Sequence, residues 1–246
     1  MSFITRMAYF VSLIVFFASS AWANIEDTTD SEQLKTAARQ TQPAKQTAKE
    51  PSNDSLDAQI VKLRTDWAIA KFQTPKNKQI PEFEQLIQRA QALYQKYPNN
   101  PEVLTWYATI LSTYSSLKGG LGVLPHLKKA KALLEQAINL NSRIENGLAY
   151  GVLGAIYARV PGWPIAFGSK DKARSYLQMA VKISPQGSDS NYYYGDFLVD
   201  TGNYEEGRRH LEIAQKAPVR KGYEIQDRGR KSEIAASLAK LQRLGH

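Results

Sequence analysis

The sequence lacks cysteine altogether among its 246 residues. This absence excludes disulfide bonds, thiol nucleophiles, thiolate metal sites and lipid attachment through an N-terminal cysteine. Histidine is also scarce, since only His126, His210 and His246 occur, and their spacing matches no ligand pattern. We therefore expect no metal site, no cofactor and no catalytic centre built on cysteine or on a histidine triad.

Long hydrophobic runs are missing except near the start of the chain. There Arg6 is followed by the apolar run Met7–Phe17 and then by small residues up to Ala23. This pattern is typical of a secretory signal peptide, and we predict cleavage after Ala23 and a periplasmic location. The alternative is a retained anchor, which the short run disfavours, so we expect no stable membrane anchor.

Large apolar residues are nearly absent from residues 24–55, which are rich in Thr, Gln, Ala, Lys, Ser and Asp. Such a segment cannot bury enough surface to offset the entropy lost on ordering. The sequence thus predicts three parts: a signal peptide at residues 1–23, a disordered tail at 24–55 and a folded domain at 56–246.

Acidic residues are outnumbered, and the chain carries a net charge of +9. Because Arg6 lies in the signal and the tail has two surplus acidic residues, residues 56–246 carry +10. A basic balance favours anionic partners. Nucleic acid is the usual choice, but the predicted export argues against it. Lipid headgroups, cell-wall polymers, acidic protein faces and a merely solvated basic surface stay open.

Strand-like alternation is also absent after residue 56, where helical periodicity runs nearly to the end. Three segments repeat a small residue, a leucine four positions later and an alanine three positions after that. They are Ala130/Leu134/Ala137, Ala173/Leu177/Ala180 and Gly207/Leu211/Ala214, with a weaker copy around Leu86, Ala90 and Leu93. The segments before them carry large–small–x2–large patterns at Tyr107, Leu153 and Tyr194. Small residues allow helices to approach closely and leucine fills the space, so the pattern predicts stacked helix pairs.

These patterns resemble the tetratricopeptide repeat, whose standard length is 34 residues. The alanine position that ends each small–Leu–Ala pattern falls at Leu93, Ala137, Ala180 and Ala214. Only the last step, from Ala180 to Ala214, has the standard repeat length. The first two repeats therefore carry insertions, LKGGLGVLPH and the loop within YARVPGWPIAFGSKDKA. The second insertion, together with YYYGDFLVDTGNYEEGRRHLEIAQKAP, is similar to the T component found beside some bacterial TRAP-type transporters.

The resemblance implies an all-α, tetratricopeptide-like α-solenoid of about four helix pairs with long intra-repeat loops. A C-terminal capping helix is expected from about Arg228 to Leu244, because Ile234, Leu238 and Leu241 fall at helical spacing. The preceding segment GYEIQDRG is expected to be a loop. Ser169 or Asp171 is expected to cap the helix after the second insertion, and Gly202 to close a helix in a left-handed conformation.

The resemblance also implies that the first helix of each pair lines a concave groove. The predicted groove residues are Thr105, Thr109, Arg159, Tyr192, Asp196 and Asp200. Small residues at Gly151 and Ala155 are expected to leave room in its middle. Its acidic end is expected to accept a basic peptide or an amine, unless Asp200 simply pairs with Arg159.

Trp163 and Phe167 in the second insertion have two interpretations. They either fold back as a plug over the helix pair or wall a binding site, where aromatic anchors are typical. Both interpretations stay open: a plug, and a ligand or partner site at these two residues.

Two functions follow from the sequence. The first is an exported adaptor that holds a protein partner or peptide in the groove. The alternative is a periplasmic small-molecule-binding accessory of a TRAP-type transporter, enclosing a small hydrophobic ligand. Asp196 and Asp200 are paired carboxylates without an accompanying nucleophile, so we expect no enzyme. The sequence leaves the oligomeric state open, a homo-oligomer included.

Overall fold

The computed structural model describes residues 55–245. The predicted signal peptide and nearly all of the predicted tail lie outside the described residues. Within residues 55–245, no helix combines the length and apolar character needed to cross a membrane.

Nine α-helices account for most of the described chain, which contains no strand. They are α1 (Leu56–Phe72), α2 (Lys76–Lys96), α3 (Pro101–Lys118), α4 (Leu124–Leu140), α5 (Leu148–Arg159), α6 (Lys170–Ile183), α7 (Ser188–Asp200), α8 (Tyr204–Lys216) and α9 (Glu224–Arg243). Short 3₁₀ segments lie at Leu121–Val123 and Ile144–Gly147. The predicted all-α fold is confirmed.

The helices form four pairs, α1–α2, α3–α4, α5–α6 and α7–α8, and consecutive pairs stack on one another. The first helices α1, α3, α5 and α7 also pack in succession, so they form one inner layer. This arrangement is the predicted α-solenoid, and the inner layer is its concave face.

Helix ends follow local capping rules. Asn100 accepts hydrogen bonds from the backbone N–H groups of Glu102 and Val103, each at 3.0 Å, before Pro101 opens α3. Ser169 caps α6 by accepting from the Lys172 N–H at 3.3 Å, which selects it over Asp171. Gly202 ends α7 at φ +83°, as predicted.

The small–Leu–Ala pattern forms the contact between the two helices of a pair. A Cβ added to Gly154 of α5 would lie 2.6 Å from Leu177 Cγ of α6. The next pair repeats this contact, since a Cβ on Gly195 would lie 2.9 Å from Leu211 Cγ. Both leucines are fully buried. Glycine is therefore required where the leucine of the second helix enters the first.

The C-terminal helix differs from the expectation in its start and in its reach. It begins at Glu224 rather than near Arg228, so most of GYEIQDRG is helical. Ile234 and Leu241 pack on the last pair, as a cap would. However, α9 also packs on α7 and on α1, where a Cβ on Gly229 would meet the Phe72 ring at 2.2 Å. It thus crosses the concave face from the last pair to the first.

Gly154→Ala tests the close contact between α5 and α6. Alanine favours a helix by about 1 kcal/mol over glycine, but the new methyl would meet both Leu177 and the Ala173 carbonyl oxygen, the latter at 3.1 Å. We expect the clash to prevail and the free energy of unfolding in urea to fall by at least about 1 kcal/mol. The control Gly122→Ala meets nothing within 4 Å. Equal stability of the two variants would contradict this packing.

Candidate functional site

The acidic end of the concave face is occupied by helix α9. Ser237 of α9 donates to Asp196 Oδ1 at 3.1 Å, and Lys240 Nζ lies 2.8 Å from Asp200 Oδ1. Arg159 pairs with Asp196 at 2.8 Å, so the expected pairing of Arg159 with Asp200 is wrong. A basic segment does fill this end, but it belongs to the same chain.

A row of six charged side chains of alternating sign, here called the ion chain, fixes α9 in place. Its members in order are Lys71, Glu233, Arg230, Asp189, Arg220 and Asp227. Lys71 Nζ lies 2.9 Å from Glu233, Arg230 Nε lies 3.0 Å from Asp189, and Arg220 Nη2 lies 2.8 Å from Asp189. The ion chain therefore joins α1, α9 and the first turn of α7.

Burial makes each charge of the ion chain dependent on its neighbours. The Arg230 side chain is only 1% exposed. Burial alone would raise the pKa of Asp189, but Arg230 and Arg220 outweigh it and hold that pKa below its usual range. Arg230 and Lys71 likewise lower the pKa of Glu233 against the effect of its burial.

The positive charge of Lys71 is disfavoured by its surroundings. Burial, with a smaller contribution from Arg230, lowers its pKa to about 8 despite its bond to Glu233. Since the unfolded chain keeps the ordinary higher pKa, it binds more protons between these two values. The contribution of Lys71 to stability consequently rises with pH above about 8.

Two tyrosines of α7 surround Arg230. Its guanidinium lies 4.4 Å from the Tyr192 ring centre and 4.8 Å from that of Tyr193, and it donates to the Tyr193 hydroxyl at 3.2 Å. The Tyr193 ring also fills the space beside Gly151, where a Cβ would lie 2.9 Å from Tyr193 Cδ2. The expected open middle of the groove at Gly151 is therefore filled.

A second anchor holds the start of α9 through Glu145. This residue has φ +47° in the connection between α4 and α5. Its carboxylate accepts hydrogen bonds from Trp106 Nε1 and from the Tyr223 hydroxyl, each at 2.8 Å. Burial and Glu145 together raise the pKa of Tyr223 to about 12. Arg64 stacks on the Tyr223 ring at 3.7 Å, so four parts of the chain meet here.

Beneath α9 the concave face retains a space of about 310 Å³, here called the polar cavity. Its walls come from α1, α3, α5, α7 and α9. They are Lys71, Thr109, Ser112, Thr113, Ser116, Leu117, Val152, Ala155, Arg159, Tyr192, Tyr193, Arg230 and Glu233. Most of these side chains carry a hydroxyl or a charge. Of the predicted groove residues, Thr109, Arg159 and Tyr192 thus line one cavity.

The remaining predicted groove residues lie elsewhere. Thr105 is fully buried in the core, and its hydroxyl donates to the Pro101 carbonyl at 2.7 Å. Asp196 and Asp200 line a smaller space of about 90 Å³ beside Arg159. The groove predicted from the sequence therefore consists of two neighbouring spaces, which share Ala155, Arg159 and Tyr193.

The two inserted loops share an apolar pocket of about 390 Å³, here called the loop pocket. Gly120, Leu121 and Val123 from the first loop face Val160 and Pro161 from the second. Phe167 packs edge-on against Tyr157 at 5.6 Å, as a plug would. Trp163 is 90% exposed and Ile165 62% exposed, so these two do not plug the helix pair.

Several residues of this site were not predicted from the sequence. Lys71 lies in the helical stretch predicted after residue 56, and Arg230 and Glu233 both lie in the predicted capping helix, but none of the three was assigned to the groove. Arg230 carried a signal, because it precedes Ile234 by four positions and so shares the apolar face of α9. A charge on that face indicates a buried partner. Among residues 55–245, no group of three His, Cys, Asp or Glu side chains could hold a metal ion.

Comparisons with known proteins give only distant structural likeness. No family profile and no curated protein sequence matches the chain. Solved structures that match include TTC0263, a thermophilic TPR protein of Thermus thermophilus, at 14% identity and TM-score 0.41, covering 75% of this chain and 100% of that one. MamA matches at 16% identity and TM-score 0.40, covering 76% and 92%. PilF of Pseudomonas aeruginosa matches at 12% identity and TM-score 0.32, covering 76% and 91%. The assignment of the solenoid rests on the helix packing described above.

Asp189→Asn tests whether the ion chain anchors α9. The substitution leaves Arg230 buried beside a neutral amide, and breaking a buried pair costs about 3–5 kcal/mol. The control Asp200→Asn removes the partner of Lys240 at an exposed site, for which we expect less than about 1 kcal/mol. Urea denaturation followed by circular dichroism measures both. A loss at Asp189 no larger than that at Asp200 would contradict the anchoring role.

Proposed function

We propose that this protein is an exported helical-repeat adaptor that binds a partner protein at the loop pocket. The observation that carries the proposal is the exposure of Trp163, which follows the pocket residue Pro161 by two positions in the second loop. Fully burying such a side chain contributes roughly 1.5–3 kcal/mol, and this gain is left for a partner to supply. Buried aromatic anchors surrounded by apolar contacts dominate the energetics of many protein interfaces.

Basic residues that flank the two loops in the sequence indicate the chemistry of the partner. Lys118 ends α3 just before the first loop, and Lys170 and Lys172 follow the second loop; all three are exposed. The folded domain is basic as a whole. The partner segment that fits best presents an apolar side chain to the pocket and carries acidic residues on either side.

The predicted groove site needs revision within this proposal. Because α9 already pairs with Asp196 through Ser237 and with Asp200 through Lys240, these carboxylates are not free to bind a basic peptide. The adaptor role therefore rests on the loops. Loops held by a rigid scaffold are a common location for binding residues.

Export is a part of the proposal that the pattern at Arg6 to Ala23 supports. If the signal is cleaved as proposed, N-terminal sequencing of protein from a periplasmic extract begins at Asn24. A mature chain that starts at Met1 would contradict export by this route.

A second candidate function is favoured by the polar cavity. Its space of about 310 Å³, which is partly open to solvent, lies within the size range of small-ligand sites, as a small-molecule-binding accessory of a solute transporter would require. A hydrophobic ligand fits this cavity poorly, because hydroxyl and charged groups supply most of its walls.

Trp163→Ala tests the adaptor proposal. A photo-crosslinking amino acid at position 163, introduced into living cells, identifies the partner. We expect Trp163→Ala to weaken binding of that purified partner at least tenfold without changing the melting temperature, because the ring is almost fully exposed.

The matched control is Leu140→Ala, which removes an exposed apolar side chain at the end of α4. We expect it to leave binding unchanged. If Trp163→Ala instead lowers the melting temperature and binding persists, the loop is a structural plug and the proposal is wrong.

A further inference from the structure

The polar cavity has more hydrogen-bond donors than acceptors left unused. Its carboxylate, Glu233, is engaged on both oxygens, by Lys71 on one and by Arg230 on the other. Asp196, the partner of Arg159, is likewise engaged on both oxygens, by Ser237 and by Arg159. Both carboxylates therefore already hold cationic partners within the protein.

Hydrogen-bond donors at the polar cavity, by contrast, remain unused. The Arg159 side chain is 53% exposed, and within residues 55–245 its only side-chain hydrogen bond runs from Nη2 to Asp196. Its Nε and Nη1 groups thus keep their N–H donors for another partner. The hydroxyls of Ser112 and Ser116 on α3 make no side-chain hydrogen bond within the described chain and line the same space.

Tyr192 gives the clearest indication of a ligand. The residue is only 8% exposed and its ring is fixed against Arg230, yet its hydroxyl has no hydrogen-bond partner within residues 55–245. The side chain lines the polar cavity. The hydroxyl oxygen itself is open to the cavity rather than sealed within the protein, so it can donate to a bound group.

Helix α9 makes the space a cavity rather than an open groove. Arg230 and Glu233 of α9 lie across the concave face and meet Lys71 of α1, so the ammonium of Lys71 also faces the enclosed space. The cavity therefore holds three cationic groups, one fully engaged carboxylate and several unused hydroxyl groups. A ligand that supplies negatively charged acceptor oxygens matches this set.

We propose that the polar cavity binds a small oxyanion, a carboxylate or phosphate on a short hydroxyl-bearing body, through Arg159, Tyr192 and the α3 serines. This inference rests on the second candidate function and names its ligand class. The polar cavity shares Ser112, Ser116, Ala155 and Arg159 with the loop pocket, whereas Trp163 lines neither space.

Isothermal titration with three six-carbon probes tests the proposal on the mature protein. Gluconate carries a carboxylate, glucose 6-phosphate carries a phosphate, and sorbitol is the uncharged counterpart. We expect at least one of the two anions to bind at least tenfold more tightly than sorbitol, and the preferred anion distinguishes carboxylate from phosphate recognition.

Variants connect binding to the cavity. Tyr192→Phe removes only the unpartnered hydroxyl, so we expect an unchanged melting temperature and about tenfold or greater loss of affinity. Arg159→Gln is expected to weaken binding further. Arg209→Gln, which removes an equal charge from an exposed position on α8, is expected to have no effect.

Sorbitol binding as tightly as both anions, or anion binding that Tyr192→Phe leaves intact, would overturn the proposal. If no probe binds, native mass spectrometry of protein from the periplasm shows whether the protein retains a small molecule and whether that molecule is charged. A retained uncharged ligand would overturn only the oxyanion class, whereas an empty protein would overturn the small-molecule function as well. Neither result affects the Trp163 surface.

Discussion

The ion chain from Lys71 to Asp227 is the constraint on which the rest of the site depends. It places α9 across the concave face, and no other described contact joins the first helix pair to the last so directly. Such buried pairs add little net stability over apolar packing, but breaking one is costly because a charge is left without a partner. In this protein the ion chain thus selects one position for α9. That position depends on every charged side chain of the ion chain.

The position of α9 changes what the solenoid can bind. In a solenoid each repeat contacts only its neighbours, and the concave face is normally open along its length. Here α9 pairs with the acidic residues at one end and borders the polar cavity in the middle. The two proposed binding places are the polar cavity around Arg159 and Tyr192 and the outer edge around Trp163. They suit different ligands, since one is lined mainly by polar groups and the other is apolar and exposed.

The fold was largely predictable because its determinants are local. The spacing of Leu134, Leu177 and Leu211 with their small neighbours is repeated along the chain, and each contact it predicts joins helices adjacent in sequence. Local capping signals such as Ser169 and Gly202 were also readable. The candidate site depends instead on pairs distant in sequence, such as Lys71 with Glu233, which no periodicity encodes.

Partial signals explain which parts of the site were found. Tyr192 and Arg159 were assigned from their position on first helices, whereas Thr105 occupies an equivalent kind of position and faces the core. The start of α9 was missed because glycine and charged residues in GYEIQDRG disfavour a helix locally. Tertiary contacts of Tyr223 and Arg230 outweigh that preference.

Hydrogen exchange of the α9 backbone amides tests the central claim most directly. If the ion chain locks α9 across the concave face, amides from Arg230 to Ile234 exchange only through global unfolding, as slowly as those of the buried segment Trp106 to Ile110 in α3. Exchange of the α9 amides at a much lower free energy, with α3 still protected, would show that the helix opens independently and would contradict the account.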